Sequence, residues 1–393
     1  MDNTKKEVMI TSVIGSAASL EGAMITAAIP YISSQLSVSY LDSSLFLTLF
    51  AVISSLLFVP FYLVGEKRGI KKLLFLGALI FSLSGIAILV TNSFPIALVL
   101  RSLQGLGASM MYPAQLAYAS SYKGSEGRNI GFNYSMLALA YIIGVPLGYA
   151  LGKIDWKYLF LLPSLMVFTS LFLTSHLSDL KGNFGNPRSA VGPMLLFNGV
   201  LISVYSFYIG VVTALAGLYS LSKWSLEKRF LKPLVAGFLH SLSRYAVVEF
   251  LVLSYTQLFH VESLLAIILV LLFPLPMALI SAPLGKVIGE RSRTIAILGF
   301  SIMLLSWLLL FNKVIGTVIL GIGTGIATVS NTVYTMQNLG LKDRVVGSAI
   351  KSLEGVVGIS VGPTIAITLF NFKIGVELAV FILNAVAILL LLV

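Results

Sequence analysis

Six ionisable residues interrupt long apolar stretches of the sequence and are the strongest candidates for chemistry. They are Glu21, Arg101, Arg244, Glu249, Lys351 and Glu354. A charged side chain is costly in an apolar medium, so those that remain there usually pair, face a water-filled interior or relay protons. Desolvation disfavours the charged form of a carboxyl group. We therefore expect the three glutamates to be proton-coupling candidates, with Arg101 as the cation that opposes protonation of Glu21.

Spacing along a helix limits which of these residues can meet. Arg244 and Glu249 are five positions apart and are marginal partners on one helix. Lys351 and Glu354 are three apart and can share a face, where they could serve function or only structure. His240 is interpreted either as a polar residue packed in a helix or as a residue lining a cavity.

Composition indicates that the elements holding these residues lie in a membrane. The chain has 393 residues, of which 58% are hydrophobic and only 10% are charged, whereas a soluble domain carries about 25% charged residues. A spanning helix needs roughly 20 apolar residues, so the spans leave little room for a soluble catalytic domain. We find no cluster of His, Asp or Ser nucleophiles at one depth, and we expect no enzyme activity.

Residue counts also bear on cofactors. The chain has no cysteine and three scattered histidines, which excludes disulfides and thiolate metal sites and makes a histidine metal site improbable. We expect no metal and no other cofactor.

Apolar runs separated by charged and turn residues predict six spans, an odd segment and six more spans. The first six cover about 8–35, 41–64, 72–91, 94–120, 129–151 and 154–177. The odd segment covers 191–222. The last six cover about 233–258, 262–285, 293–312, 314–338, 346–370 and 373–393.

The distribution of positive charge predicts the orientation. The net charge is +11, but the bases lie in short loops, as the positive-inside rule describes, and not in a patch for nucleic acid. If both termini are cytoplasmic, the outer loops hold only Lys153, Lys157, Lys313 and Lys373. That division requires segment 191–222 to return to its starting side. A compact hairpin with its bend near Gly210 is the favoured interpretation, and a helix at the interface is the alternative.

The two blocks of six spans look like parallel repeats, the architecture of one large class of transporters. We predict an all-α membrane protein of two six-helix bundles with a short extra hairpin between them. The predicted division is 1–180 for the first half, 181–232 for the linker with the hairpin and 233–393 for the second half.

Short motifs recur at matching places in the two blocks. The turn after the second run carries Glu66, Lys67, Gly69 and Lys71, and its counterpart carries Gly289 and Arg291. A tight turn with an acid and several bases can dock on a neighbouring helix end and form a cytoplasmic latch that opens during rocking. A solvated loop is the alternative interpretation.

The fourth run reads R-S-L-Q-G-L-G from Arg101 to Gly107, and the fifth carries Gly144, Pro146 and Gly148. Glycines at such spacing let helices approach closely. In the first run, the stretch from Glu21 to Pro30 carries an acid, an alanine (Ala28) and a proline as a third motif. Together these motifs resemble the major facilitator superfamily, and within it the fourteen-span drug:proton antiporters. The chain departs from their pattern by having glutamate for aspartate at positions 21 and 66.

The resemblance implies alternating access and export of a small amphipathic or hydrophobic compound in exchange for protons. A metabolite or nutrient symporter or uniporter is the alternative. The resemblance also implies a multi-pass protein of the plasma membrane. We expect it to be a monomer whose partners are the lipid bilayer, a small-molecule substrate and protons. The substrate-cavity candidates are Gln104, Arg244, Tyr255, Gln257 and Lys351, and Gly144, Pro146 and Gly148 are expected to form the antiporter-type helix.

Overall fold

The computed structural model describes residues 3–223, 228–255, 263–371 and 375–393, and within these ranges every regular element is a helix. The first part of the chain contains α1 (Asn3–Leu36), α2 (Tyr40–Arg68), α3 (Ile70–Ile88), α4 (Phe94–Ser120), α5 (Glu126–Ile154), α6 (Tyr158–Leu171), α7 (Val191–Ser203) and α8 (Phe207–Lys223). The second part contains α9 (Lys228–Leu253), α10 (Ser263–Leu271), α11 (Pro274–Val287), α12 (Ser292–Met303), α13 (Leu308–Phe311), α14 (Lys313–Gln337), α15 (Arg344–Asn371) and α16 (Val376–Leu392).

Eleven helical stretches of the described chain are long and apolar enough to cross a membrane. Every backbone polar group must be satisfied inside hydrocarbon, which is why apolar runs of this length fold as helices. The last predicted span, 373–393, corresponds to the shorter apolar helix α16, and Phe207–Lys223 is also short. Both bounds and number are therefore close to the prediction, with the second half less regular than expected.

Two predicted spans of the second half are broken. The run 262–285 divides into α10 and α11 because Pro274 and Pro276 stand at the junction, and proline has no backbone N–H to continue a helix. The run 293–312 changes to a 3-10 turn at Leu304–Trp307 before α13 begins. Leu305 has a non-helical ψ of 17° at this kink.

The odd segment forms the predicted hairpin, but its bend is not at Gly210. Helix α7 ends at Ser203 and α8 begins at Phe207, so the turn lies at 204–206. Gly210 belongs to α8, where its backbone packs directly on Ser203 of α7. A glycine there serves close helix approach rather than the bend. At 1.5 Å per residue α7 is about 20 Å long, shorter than the roughly 30 Å hydrocarbon core.

The chain packs into two compact units that exchange short segments of sequence. The first unit contains residues 1–121, 139–187 and 341–352, and the second contains 122–138, 188–340 and 353–393. The boundaries therefore cut α5 and α15, each of which contributes its beginning to one unit and its remainder to the other. The predicted blocks 1–180, 181–232 and 233–393 describe helix order along the chain, and as domain boundaries they remain a prediction.

Small residues set the helix spacing inside each unit. In the first unit, Gly144 and Gly148 of α5 lie against Leu20 and Met24 of α1. In the second unit, Gly358 and Gly362 of α15 lie against Ser241 and Tyr245 of α9 in the same four-residue rhythm. Lipid is as apolar as leucine, so helices in a bilayer associate mainly through such close packing and hydrogen bonds. This packing brings α5 against α1 at Leu20–Met24, and α15 against α9 at Ser241–Tyr245.

Candidate functional site

Glu21, Arg101 and Gln104 form a closed polar cluster inside the first unit. The guanidinium of Arg101 forms an ion pair with Glu21 Oε1 through Nη1. The same nitrogen donates to Gln104 Oε1 at 3.0 Å, and Gln104 Nε2 donates to Glu21 Oε2 at 3.1 Å. All three residues are fully buried. Both carboxylate oxygens of Glu21 are therefore occupied by side-chain donors.

Neighbouring helices hold this cluster in place. Arg101 and Gln104 are three residues apart on α4 and share its face. Arg101 Nε donates to the Phe46 carbonyl oxygen of α2 at 2.8 Å. Its guanidinium carbon lies 4.0 Å from the ring centre of Phe50, a cation–π contact that accompanies the ion pair. Contacts from α1, α2 and α4 itself therefore fix the position of the Arg101 side chain.

The pairing of Glu21 with Arg101 makes this cluster sensitive to the charge on either side chain. Removing two charges from water is costly, and only their mutual attraction and additional hydrogen bonds offset that cost. Neutralising the carboxyl group of Glu21 would remove its attraction for Arg101 and leave the guanidinium buried without an anion. A single proton can thus change the favoured packing of α1 against α4. This is the pairing expected from the sequence, although the proton-coupling roles themselves stay predictions.

The predicted latch turn between α2 and α3 is not a solvated loop. Gly69 has φ +92°, a conformation that favours glycine, and the Asp179 carboxylate lies directly against it. Glu66 is buried and its Oε2 accepts the Phe184 N–H at 2.8 Å. Lys71 Nζ donates to the Ser175 carbonyl oxygen at 2.9 Å. Lys67 is exposed.

The partner of this turn is an irregular segment, residues 177–186, which we name the strap. The strap also bonds to three other places in the first unit. The N–H of Ser178 donates to Glu7 Oε1 at 2.7 Å, and the hydroxyl of Tyr118 donates to the Ser178 carbonyl oxygen at 2.6 Å. The Asn183 N–H donates to the Lys342 carbonyl oxygen at 3.0 Å. Glu66 therefore docks on the strap backbone, whereas the sequence predicted docking on a helix end.

The counterpart turn in the second unit is more open. Gly289 has φ +48°, and no neighbouring atom stands where a Cβ would project. Its carbonyl oxygen accepts Gln337 Nε2 at 3.2 Å, and the Ser292 hydroxyl donates to Gln337 Oε1 at 2.7 Å. Arg291 is exposed. The two turns share a glycine but not a strap.

The predicted antiporter-type helix is α5. A methyl group added at Gly144 would stand 2.7 Å from the Leu20 carbonyl oxygen, immediately beside Glu21 in sequence. Gly148 packs against the Met24 backbone one turn further along. Pro146 lies half-buried inside the helix between them. The glycines of this motif thus set how closely α5 approaches the helix that carries Glu21.

The second unit buries a different polar cluster, centred on His240 of α9 and Asn384 of α16. His240 Nδ1 lies 3.0 Å from Asn384 Oδ1, and its Nε2 lies 3.3 Å from the Thr328 hydroxyl. Asn384 Nδ2 donates to the Ser243 hydroxyl at 3.0 Å. Arg244 joins through Nη1, which lies 3.4 Å from the Thr328 hydroxyl. His240 is therefore packed in a hydrogen-bonded cluster, one of the two interpretations offered for it.

The other predicted site residues are dispersed. Glu249 is half-buried on α9, and Tyr255 is buried just beyond that helix. Lys351 and Glu354 are buried on α15, on either side of the boundary between the two units. Gln257 lies outside the described residues. Among the described residues no group of three or more His, Cys, Asp or Glu side chains is placed to hold a metal ion.

Sequence reasoning missed several residues that the structure brings to these places. Asp179 and Glu7 lie in or near polar stretches and gave no motif. Asn384 had a usable signal, since it and Glu377 are the only polar residues in the run Val376–Leu392. Thr328 is one of many small polar residues in α14 and had none.

Known proteins share this sequence pattern and fold. The family model of the Major Facilitator Superfamily matches residues 11–228. The transporter YfiU of Bacillus subtilis is 26% identical over 194 residues, 48% of this chain and 37% of YfiU. YebQ of Escherichia coli is 26% identical over 210 residues, 50% of this chain and 45% of YebQ. The aligned region thus spans less than half the length of these two transporters.

Two solved structures resemble the whole chain in fold. The human organic anion transporter MFSD10 superposes with a TM-score of 0.72 at 12% identity, covering 100% of this chain and 99% of that one. The proton:xylose symporter XylE superposes with a TM-score of 0.71 at 11% identity, covering 99% and 94%. At such low identity these likenesses concern the fold alone. The match of the family model to more than half of the sequence identifies this chain as a member of the major facilitator superfamily.

Proposed function

We propose that this secondary transporter exports small amphipathic or hydrophobic compounds in exchange for protons, by alternating access. The buried cluster of Glu21, Arg101 and Gln104 is the observation that carries the proposal. An ionisable pair kept inside a span is a functional candidate by default, because its burial is costly. The motifs on α4 and α5 that resemble the drug:proton antiporters lie beside this same cluster.

The proposed coupling uses one proton on Glu21. With Glu21 ionised, its attraction for Arg101 holds α1 against α4. Protonation weakens that contact, and a substrate or a water-filled cavity then stabilises the alternative packing. The glycine contacts between α5 and α1 would transmit the shift, since Gly144 lies against Leu20. Glu249 and Glu354 are the next candidates for the proton, and Arg244, Tyr255, Gln257 and Lys351 remain the candidates for contact with substrate.

Glu21→Gln tests the coupling, because glutamine keeps the shape of the side chain but cannot titrate. The protein would be reconstituted in vesicles loaded with a pH-sensitive dye, using a compound first shown to stabilise the purified protein. We expect the variant to lose accumulation driven by a pH gradient and to keep substrate exchange at equal pH. Glu249→Gln tests the next candidate in the same assay, and if Glu21 carries the proton this variant should retain both activities. A Glu21→Gln protein that still concentrates the compound with protons would contradict the proposal.

A metabolite or nutrient transporter is the second candidate function. The cluster of His240, Thr328 and Asn384 favours it, because such groups can hydrogen-bond a polar solute. A ligand that binds only the native state raises thermal stability, so a screen of lipophilic cations, organic anions and sugars separates the candidates. Stabilisation by lipophilic cations supports export, and stabilisation confined to sugars or organic anions supports the second function.

We further propose a monomer in the plasma membrane with both termini cytoplasmic, and no interaction with nucleic acid. The asymmetry of loop charges supports this orientation. Because the chain has no cysteine, single cysteines at Gly185 and Ser225 can be labelled from one side. Both should react from the cytoplasmic side, and reaction from opposite sides would contradict the orientation given to the hairpin.

A further inference from the structure

A cavity of about 350 Å³ lies in the second unit where α9 and α12 begin and α14 and α16 end. Four basic side chains line it, those of Lys228, Arg229, Lys232 and Arg293. Among the described residues, no acidic side chain lines it. The transport cycle proposed above uses none of these residues.

The local physics opposes this concentration of positive charge. Lys228 and Lys232 are four apart on one helix, where like charges repel. They stand with Arg229 at the beginning of α9 as described, near the positive end of the helix dipole, and the described residues of its first turn include no acid. The arrangement is unfavourable by itself and becomes favourable once an anion occupies the cavity.

One of the four bases is held by the protein itself. Arg293 Nε donates to the Leu391 carbonyl oxygen at 2.7 Å, and its Nη2 donates to that of Leu392 at 3.0 Å. These bonds satisfy the last carbonyl groups of α16 and fix the guanidinium at the wall of the cavity. The three bases of α9 have no such bond among the contacts of the described residues. A bound anion would therefore draw chiefly on α9.

We propose that this cavity binds a phosphate group, supplied by the head group of an anionic phospholipid. Helix beginnings bind phosphate through their free N–H groups, and arginine and lysine are its usual side-chain partners. Leu389 and Leu392 of α16 adjoin the lining residues Leu390 and Leu391 in sequence and are 60% and 57% exposed, so this helix end presents apolar surface for acyl chains. Basic pockets between spanning helices recognise anionic head groups in this way.

Thermal unfolding of the purified full chain in a neutral detergent tests the site. Dioctanoyl phosphatidylglycerol, dioctanoyl phosphatidylcholine and inorganic phosphate would be added separately at equal concentration. We expect phosphatidylglycerol to raise the melting temperature, and phosphatidylcholine to have little effect. The triple variant Lys228→Gln, Arg229→Gln, Lys232→Gln should reduce the rise about threefold or more, since these bases supply most of the phosphate contacts.

A variant that removes three charges elsewhere, Lys5→Gln, Lys6→Gln, Lys123→Gln, is the matched control and should keep the full rise. If the triple variant does not fold, the single variant Lys232→Gln can be used instead. It should lose part of the rise in melting temperature. An equal rise with inorganic phosphate, abolished by the triple variant, would support the phosphate site but assign it to a free anion. No rise in the wild-type protein, or a rise that both triple variants lose or keep alike, would overturn the proposal.

Discussion

In the first unit the buried polar groups centre on a carboxylate and a guanidinium, whereas in the second they centre on an imidazole and an amide. The Glu21–Arg101 pair is closed by Gln104, and every oxygen of Glu21 has a donor. Around His240, the contacts of the Thr328 hydroxyl with His240 Nε2 and Arg244 Nη1 are longer, at 3.3 and 3.4 Å, and Arg244 Nε is buried without a hydrogen-bond partner. Both carboxylate oxygens in the first cluster therefore have hydrogen-bond donors, whereas in the second cluster Arg244 Nε has no hydrogen-bond acceptor.

The two units nevertheless use the same scaffold, glycines of α5 against α1 and glycines of α15 against α9. The difference between the clusters therefore does not come from helix packing but from the side chains presented there. Protonating one member of a closed ion pair is costly, because losing one charge leaves the other buried alone. The cluster around His240 joins neutral side chains to Arg244, whose buried Nε has no hydrogen-bond partner and can donate to a polar ligand. Proton coupling in the first unit and solute contact in the second are the roles that we propose on this basis.

Removing the arginine of each cluster should give the largest difference in stability between the two units. Arg101→Met leaves Glu21 buried without a cation and should lower the free energy of unfolding by about 3–5 kcal/mol. Arg244→Met loses two hydrogen bonds of 3.4 Å and should cost about 1 kcal/mol. Denaturant titration in detergent micelles measures both.

Adding Glu21→Gln to Arg101→Met removes the orphaned charge and should restore most of the lost stability. Equal losses of unfolding free energy for the two arginine variants would show that both arginines contribute equally to stability, contrary to the comparison.

Glycine substitutions sharpen the shared part of the comparison. Gly148→Ala drives a methyl group into the Met24 backbone and should destabilise the protein by about 1–3 kcal/mol. Gly362→Ala, against Leu242 and Tyr245, should behave similarly.

Gly22 on α1 and Gly355 on α15 provide matched controls, since a Cβ at either meets nothing within 4 Å. Alanine at these positions should stabilise by about 0.4–1 kcal/mol. Measured destabilisation at Gly22 as large as that at Gly148 would exclude close packing as the cause.

Substitutions at the two turn glycines compare the turns of the two units. Gly69 has φ +92° and ψ 137°, a region that essentially only glycine adopts, so Gly69→Ala should cost about 1–3 kcal/mol. Gly289 has φ +48° with open space around it, and Gly289→Ala should cost about 1 kcal/mol.

Gly69→Ala should also slow transport while leaving ligand affinity largely unchanged, because the latch turn is distant in sequence and role from the buried cluster. A large loss of affinity in a folded Gly69→Ala protein would contradict the latch role.

Much of this fold follows from the sequence because membrane spans are long and apolar. The ends of α1, α2 and α4 lie near their predicted bounds, since charged or capping residues mark them. The pairing of Glu21 with Arg101 was also predictable, because few partners exist for a charge inside a span. The alternation of charged loops indicated the hairpin.

Other features depend on contacts far apart in sequence and were not predictable. The strap joins Asp179 to Gly69 and Asn183 to Lys342, and no periodic pattern marks a segment without regular structure. The exchange of segments 122–138 and 341–352 between units depends on tertiary packing alone. The hairpin bend was misplaced because Gly210 suits both a turn and a close helix contact, and only the packed α7 reveals which applies.

The hairpin of α7 and α8 has a mechanical consequence for the surrounding lipid. Its turn is internally satisfied, since the N–H groups of Tyr205 and Ser206 both donate to the Ile202 carbonyl oxygen. The N–H groups of Phe207, Tyr208 and Ile209 begin a helix and have no acceptor within it. They must meet water or ester groups, although neighbouring side chains are apolar and exposed. Because α7 is about 20 Å long and the hydrocarbon core roughly 30 Å thick, a hairpin inserted in the bilayer would fall short of the far interface and would favour local thinning.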